Sequence, residues 1–220
     1  MKIRKILFIS LRNLGDIILT TPVLEKLHEE FPEAVIDVIA GCPGKDIFNA
    51  HPAVGRFEPD ERRKSMWTRI KQVADLRRRR YDLVVDMKNS LIPYLVGAPR
   101  HSRLAVCGRA NVYKKDEHLS RLRGLVPDPF SGVKFFIPAG DEEKKYVESI
   151  ISRTGGKKNV VISPGAKSHL KRWSAEKYAH LADRLISELG CTVFITGNDD
   201  DKEVARRVIA GMKRRAEDLT

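Results

Sequence analysis

Three segments of the chain combine glycine with acid or base in patterns that suit ligand chemistry. The first is Ser10-Leu-Arg-Asn-Leu-Gly-Asp-Ile-Ile-Leu-Thr-Thr-Pro22. Here Gly15 permits a tight turn and close approach of the backbone to a ligand. Asp16 follows a strand-like apolar run, at the end where open α/β sheets bind ligands. If a helix starts at Asp16, its dipole favours the carboxylate, and a positioned carboxylate can take a proton from an attacking hydroxyl. An acid at this place also suits a plain helix cap, and spacing leaves both readings open. The second segment is Ser163-Pro-Gly-Ala-Lys-Ser-His-Leu-Lys-Arg-Trp-Ser174. Gly165 and Ala166 leave backbone N–H groups accessible to phosphate, and Lys167, Lys171 and Arg172 supply positive charge to a diphosphate. The alternatives are a solvated basic loop and packing of Trp173 on a helix capped by Ser174. The third segment is Thr196-Gly-Asn-Asp-Asp-Asp201. Its acids can accept hydrogen bonds from ribose hydroxyls or complement a helix dipole.

The elements that must position these segments are read from hydrophobic periodicity. Short apolar runs alternate with longer amphipathic stretches, the pattern of parallel strands joined by crossover helices. Strands are expected at 6–11, 35–40, 82–86, 104–106 and 133–137, with helices at 16–31, 66–79, 90–96 and 141–152. Pro22 should kink the first helix or sit near a helix start capped by Thr20 or Thr21. Residues 107–132 yield no assigned element. Thr154-Gly-Gly-Lys-Lys158 reads as a linker, giving domains of 1–154 and 155–220. Beyond it come strands at 159–163 and 192–196 and helices at 174–189 and 201–214. Two strands fall short of the five or six usual in doubly wound domains. The second domain is therefore expected to be incomplete, with apolar surface left uncovered.

Composition narrows the class. Hydrophobic residues make up 42% and charged residues 32%, a globular balance, and the net charge is +12. Such charge favours anionic partners. The cysteines Cys42, Cys107 and Cys191 form no C-x-x-C pair, which suggests neither zinc nor a disulfide framework. No apolar run approaches the ~20 residues of a membrane span, so the protein is expected to be cytoplasmic and any membrane contact peripheral. P-loop, dinucleotide-binding, nucleophile-elbow and zincin motifs are absent from the sequence.

Taken in order, Gly15-Asp16 with Thr20-Thr21-Pro22, Tyr81-Asp-Leu-Val-Val-Asp86, Pro164-Gly-Ala-Lys-Ser168 with Lys171-Arg-Trp173, and Gly197 followed by Asp201 resemble glycosyltransferase family 9. These are the ADP-heptose:lipopolysaccharide heptosyltransferases. The resemblance implies a GT-B architecture, two Rossmann-like domains facing each other across a cleft. It implies an inverting, metal-independent enzyme without cofactor, moving a heptose from ADP-heptose or a related nucleotide sugar to a lipopolysaccharide-type acceptor. Asp16 matches the family's general base and Lys171 its donor-phosphate lysine. Asp201 matches the ribose-binding acid, with Asp199 and Asp200 leaving the register open. Gly165, Ala166, Lys167 and Ser168 fall near the donor diphosphate, and Lys167 departs from the family's commoner small residue. Gly15, Thr20 and Thr21 fall on the acceptor side. The family's later Asp-Ser/Thr-Gly-Pro-x-His motif is not found in this sequence.

The implied acceptor is an anionic lipid-linked sugar at the inner face of the cytoplasmic membrane, which gives the positive charge a use. Two other classes remain open. One is a nucleic-acid-binding protein, against which stands the lack of any recognisable binding module or basic stripe interleaved with aromatics. The other is a catalytically inactive fragment that binds sugars or protein partners.

Overall fold

A computed structural model describes residues 2–60, 65–104, 112–155, 158–166 and 168–220. The chain divides into two compact units, Met1–Pro138 and Ala139–Thr220. The division precedes the expected 154/155 boundary because the helix before the glycine-rich stretch clusters with the second unit rather than the first.

In the first unit, β1 (Lys5–Ile9) leads into α1 (Leu14–Glu30), and β2 (Val35–Ala40) into α2 (Lys45–Asn49). Next come β3 (Val54–Pro59), α3 (Met66–Arg78), β4 (Leu83–Asp86), α4 (Ile92–Val96), β5 (Arg100–His101) and α5 (Lys114–Leu119). The five strands form one sheet in the order β3-β2-β1-β4-β5, and every pairing is parallel. Alternate β1 side chains feed opposite faces of this sheet. Ile6 and Phe8 pack with Ile17, Leu24 and Leu27 of α1 and with Phe48, while Leu7 and Ile9 pack with Leu76 of α3 and Val96 of α4. Both faces of the strand are therefore covered, which explains why its sequence is continuously apolar rather than alternating.

Helix α1 runs unbroken through Pro22. Proline has no N–H for the carbonyl four residues back, and the Thr21 hydroxyl takes that place, donating to the Ile18 carbonyl at 2.9 Å. The expected break is thus repaired from within the sequence. Two further expectations are corrected. β3 was not foreseen, and residues 133–137 are not a strand. The Phe136 N–H leaves no ladder partner and donates instead to Thr21 Oγ1 at 3.1 Å. Of the strand expected at 104–106, Ala105 and Val106 lie outside the described residues, and the strand at this edge is β5.

The second unit contains α6 (Asp141–Ile151), β6 (Asn159–Ile162), α7 (Ala175–Leu189), β7 (Thr192–Thr196), α8 (Lys202–Gly211) and β8 (Glu217–Leu219). Its sheet has three parallel strands, β6-β7-β8, not two. Ala179 and Ala182 of α7 and Ala205 and Val208 of α8 cover Ile162, Val193 and Ile195 on one face. Val161, by contrast, is 62% exposed.

Candidate active site

The geometry begins with the β1–α1 connection. Ser10 N–H still bonds β2 through the Ile39 carbonyl, and Gly41 N–H bonds the Leu11 carbonyl. The chain then turns at Arg12 so closely against Gly41 that a Cβ there would lie 2.2 Å from the Arg12 oxygen. This contact fixes where α1 starts. Asp16 lies in the first turn of α1 and is exposed. It does not cap the helix N-terminus. Instead its Oδ2 accepts from Asn13 Nδ2 at 3.0 Å, so the carboxylate is held at one oxygen with the other open to a ligand. A Cβ on Gly15 would meet nothing within 4 Å. Gly15 therefore sits in a helical turn, not the tight turn expected, and the space beside it is open.

Thr20 and Thr21 are fully buried. Thr20 donates to the Ile17 carbonyl at 2.7 Å and accepts from the Ser10 hydroxyl at 2.6 Å. Both hydroxyls thus serve the helix and its seat on β1. The structure places these two threonines, expected on the acceptor side, in the interior with their hydroxyls bonded within the fold.

Sequence reasoning missed a charged cluster at the same ends of the strands. Asp60 follows β3, Lys88 follows β4, and Arg12 follows β1. Arg12 Nε lies 2.6 Å from Asp60 Oδ2, and Lys88 Nζ bonds the same oxygen. Burial pushes the Asp60 carboxyl up, but the two cations outweigh it and hold the group below its ordinary value. Burial depresses the Lys88 amine despite its carboxylate partner. Together with Ile9, Ile39 and Arg69 they line a cavity of about 350 Å³. Asp86 holds the β4 turn, its two oxygens accepting from the N–H groups of Lys88 at 2.7 Å and Ser90 at 2.6 Å. A sequence signal existed for Arg12 and Lys88, which follow strands read from the sequence, but not for Asp60, because β3 was not foreseen. His118 of α5 is buried against α1, and burial lowers its pKa against the pull of Glu117 and, more weakly, Asp16.

In the second unit, two loops meet beyond β6 and β7. Ser163 Oγ and Thr196 Oγ1 are 2.7 Å apart. The Asp201 side chain lies so close to both glycines that a Cβ on Gly165 would be 2.0 Å from its Oδ1, and one on Gly197 would be 2.7 Å from its Cβ. Asp201 also closes a capping box with Asn198. The glycines are therefore explained by the seat of this carboxylate, which is half-buried. Arg172 Nε donates to the Ala166 carbonyl at 2.8 Å and closes the basic loop on itself. Lys171 is exposed in a short 3₁₀ turn, its backbone N–H bonded to the Ser168 carbonyl. Ser168 is half-buried, and Lys167 lies outside the described residues. Ser174 caps α7, accepting from the Lys177 N–H at 3.4 Å, and Trp173 packs edge-on against Tyr178 at 5.1 Å. Among the described residues, no group of three or more His, Cys, Asp or Glu side chains is arranged to hold a metal ion.

The two parallel α/β units have the GT-B fold of the solved structures that match them. The glycosyltransferase family 9 protein of Veillonella parvula superposes with a TM-score of 0.77 at 22% identity, over 100% of this chain and 70% of its own. The ADP-heptose lipopolysaccharide heptosyltransferase II of Escherichia coli gives 0.71 at 23% identity, over 98% and 72%. The family model described as glycosyltransferase family 9 (heptosyltransferase) matches residues 134–220. Lipopolysaccharide heptosyltransferase 2 of E. coli K12 is 26% identical over 94% of this chain and 67% of its own length. Lipopolysaccharide heptosyltransferase 3 of the same organism is 25% identical over 83% and 60%. The chain is thus similar to glycosyltransferase family 9 proteins, and the part that matches the family model is residues 134–220.

Proposed function

We propose that this chain moves a heptose from ADP-heptose to an anionic, lipopolysaccharide-type sugar acceptor by single displacement with inversion. In this reading Asp16 takes the proton of the acceptor hydroxyl. The hydroxyl oxygen attacks the anomeric carbon, the bond from that carbon to the diphosphate breaks, and the electron pair leaves with the nucleoside diphosphate. Lys171 and the N–H groups near Ala166 and Ser168 stabilise the departing charge, and Asp201 meets the ribose. The observation that carries the reading is the exposed Asp16 carboxylate. It is anchored by one hydrogen bond at the start of α1, beyond the carboxyl ends of a parallel sheet. The choice of sugar and nucleotide follows the relatives, since the E. coli heptosyltransferase WaaC is solved with ADP and with ADP-2-deoxy-2-fluoro heptose.

The domain assignment follows the compact units: acceptor on Met1–Pro138, nucleotide sugar on Ala139–Thr220. Peripheral contact with the inner membrane face is part of the same proposal. No helix among the described residues is long and apolar enough to cross a membrane. Yet α3 turns Trp67 (81% exposed), Met66 and Ile70 to solvent beside Lys71 and Arg78, a mixture that suits an anionic lipid surface. The donor half is tested by titrating ADP into the chain and its Lys171→Ala variant. Removing one charge-assisted bond should weaken ADP about tenfold or more, and unchanged affinity removes Lys171 from the site.

A further inference from the structure

Helix α1 begins with an asparagine in the backbone geometry of a cap. Asn13 has φ −90° and ψ 145°, yet its side chain makes no capping bond. Asparagine is among the preferred residues here because its side-chain oxygen can accept from a free N–H of the first turn. Other helices of the chain use such a bond. Ser65 accepts from the Thr68 N–H at the start of α3, and Ser174 from the Lys177 N–H at the start of α7. The contrast is sharpest with Asn198-Asp-Asp-Asp201, which has the same spacing as Asn13-Leu-Gly-Asp16. There the pair closes a capping box, and the Asn198 backbone N–H donates to Asp201 Oδ2 at 3.3 Å. In α1 the side-chain amide of Asn13 donates to Asp16 Oδ2 at 3.0 Å instead. The longest helix among the described residues thus forgoes a cap that its sequence offers, and the amide goes to one carboxylate oxygen.

Asp16 forms no ion pair among the described residues, and Arg12, the nearest cation in sequence, is taken by Asp60 at 2.6 Å. The difference matters for a proton acceptor. A cation beside a carboxylate favours its charged form and so opposes uptake of a proton. A neutral amide orients the group without setting a full charge against it. An exposed side chain turns among several rotamers, whereas a base works only while an oxygen stays within reach of the proton it takes. The bond to Oδ2 restricts that turning and leaves Oδ1 as the free oxygen.

We infer that Asn13 is a positioning residue for the Asp16 base: its amide holds Oδ2 so that Oδ1 takes the proton of the attacking hydroxyl. The inference rests on the transferase reading for the reaction, but not for the bond between amide and carboxylate.

The test uses Asn13→Asp and Asn13→Ala in the 220-residue chain, with ADP-heptose as donor and deacylated lipopolysaccharide core as acceptor. Asn13→Asp keeps the shape and the cap acceptor but removes the N–H donor, and Asn13→Ala removes both. A misplacement of about 1 Å can cost about 10²-fold in rate. In both variants kcat should therefore fall by about tenfold to a hundredfold, with the KM for ADP-heptose and the affinity for ADP unchanged. Thermal melts separate this from a structural role. Aspartate caps a helix as well as asparagine does and its charge suits the dipole, so Asn13→Asp should melt no lower than the wild type. The bond itself is read from the Asn13 side-chain amide signal in heteronuclear NMR spectra, assigned by its loss in Asn13→Asp. That signal should move in Asp16→Ala. Full kcat in both Asn13 variants overturns the inference, while a loss in Asp16→Asn keeps the transferase reading. A fall in kcat matched by a lower melting temperature in Asn13→Asp assigns Asn13 to the fold and overturns the inference too. If the wild type transfers no sugar, the transferase reading falls and the amide signal decides the bond: movement in Asp16→Ala upholds it, and no movement overturns it.

Discussion

Helix α1 carries Asp16 at its start, so its continuity through Pro22 controls where that acid sits. Thr21→Val tests the repair directly, because valine keeps the shape and removes the hydroxyl. Two bonds are lost: Thr21 Oγ1 to the Ile18 carbonyl and the Phe136 N–H to Thr21 Oγ1. The carbonyl sits inside the helix, and leaving it unpaired costs about 1–3 kcal/mol. Phe136 is half-buried, so its N–H loses about 1 kcal/mol, the net worth of an ordinary hydrogen bond. The sum, about 2–4 kcal/mol, corresponds to a fall in Tm of roughly 6–12 °C for a unit of this size. Pro22→Ala should rescue part of it, since alanine brings back the N–H that the Ile18 carbonyl lacks. The assay is thermal or urea unfolding of the wild type, both single variants and the double variant, read as a double-mutant cycle. The double variant should be more stable than Thr21→Val alone by about 1 kcal/mol or more. Equal loss in the single and double variants would refute the repair. Below its melting temperature, Thr21→Val should keep normal ligand binding, because the hydroxyl faces the fold and not a ligand.

Two further outcomes follow from the same end of the sheet. Gly41→Ala puts a Cβ against the Arg12 carbonyl and should destabilise the chain strongly, whereas Gly15→Ala meets open space and should stabilise helix α1 by about 0.5–1 kcal/mol. Urea midpoints decide, and equal losses at the two positions would contradict the packing described. Asp60 is held below the ordinary carboxylate range by Arg12 and Lys88. A depressed folded pKa contributes stability that is present above the unfolded value, about 3.9, and is lost as pH falls through the lower folded value. Asp60→Asn should therefore remove part of the acid-side loss of stability below about pH 4, and an unchanged acid limb in denaturant midpoints would sink this reading.

Most of the architecture was legible because buried parallel strands are apolar on both faces. β1, β2, β4 and β7 stand out for that reason, and α3 and α7 show helical spacing. The misses have a common cause at sheet edges. β3 reads Val-Gly-Arg-Phe-Glu-Pro and β8 reads Glu-Asp-Leu. Each borders a sheet with one neighbour, so neither needs the continuous apolar run that marks a central strand. Residues 133–137 have strand-like composition, but the Phe136 N–H bonds a side chain instead of a ladder.

The site was legible in part. Asp16 lies in the connection after β1, Lys171 in that after β6 and Asp201 in that after β7, the order of elements read from the sequence. Periodicity could not show that Asp201 is seated against Gly165 and Gly197, or that Thr20 and Thr21 point into the core. Nor could it join Asp60 to Arg12 and Lys88, since those contacts depend on the order β3-β2-β1-β4 rather than on neighbours in sequence.

The role of Asp16 is tested most directly by turnover of ADP-heptose in Asp16→Asn, which keeps the shape of the side chain and its contact with Asn13 while removing the proton acceptor. General base catalysis is worth about 10²–10⁴-fold. The expected result is a fall in kcat of that size with ADP affinity unchanged, whereas Lys171→Ala weakens ADP. Retention of most of the activity by Asp16→Asn would contradict the proposed chemistry and leave Asp16 a surface acid at the start of a helix.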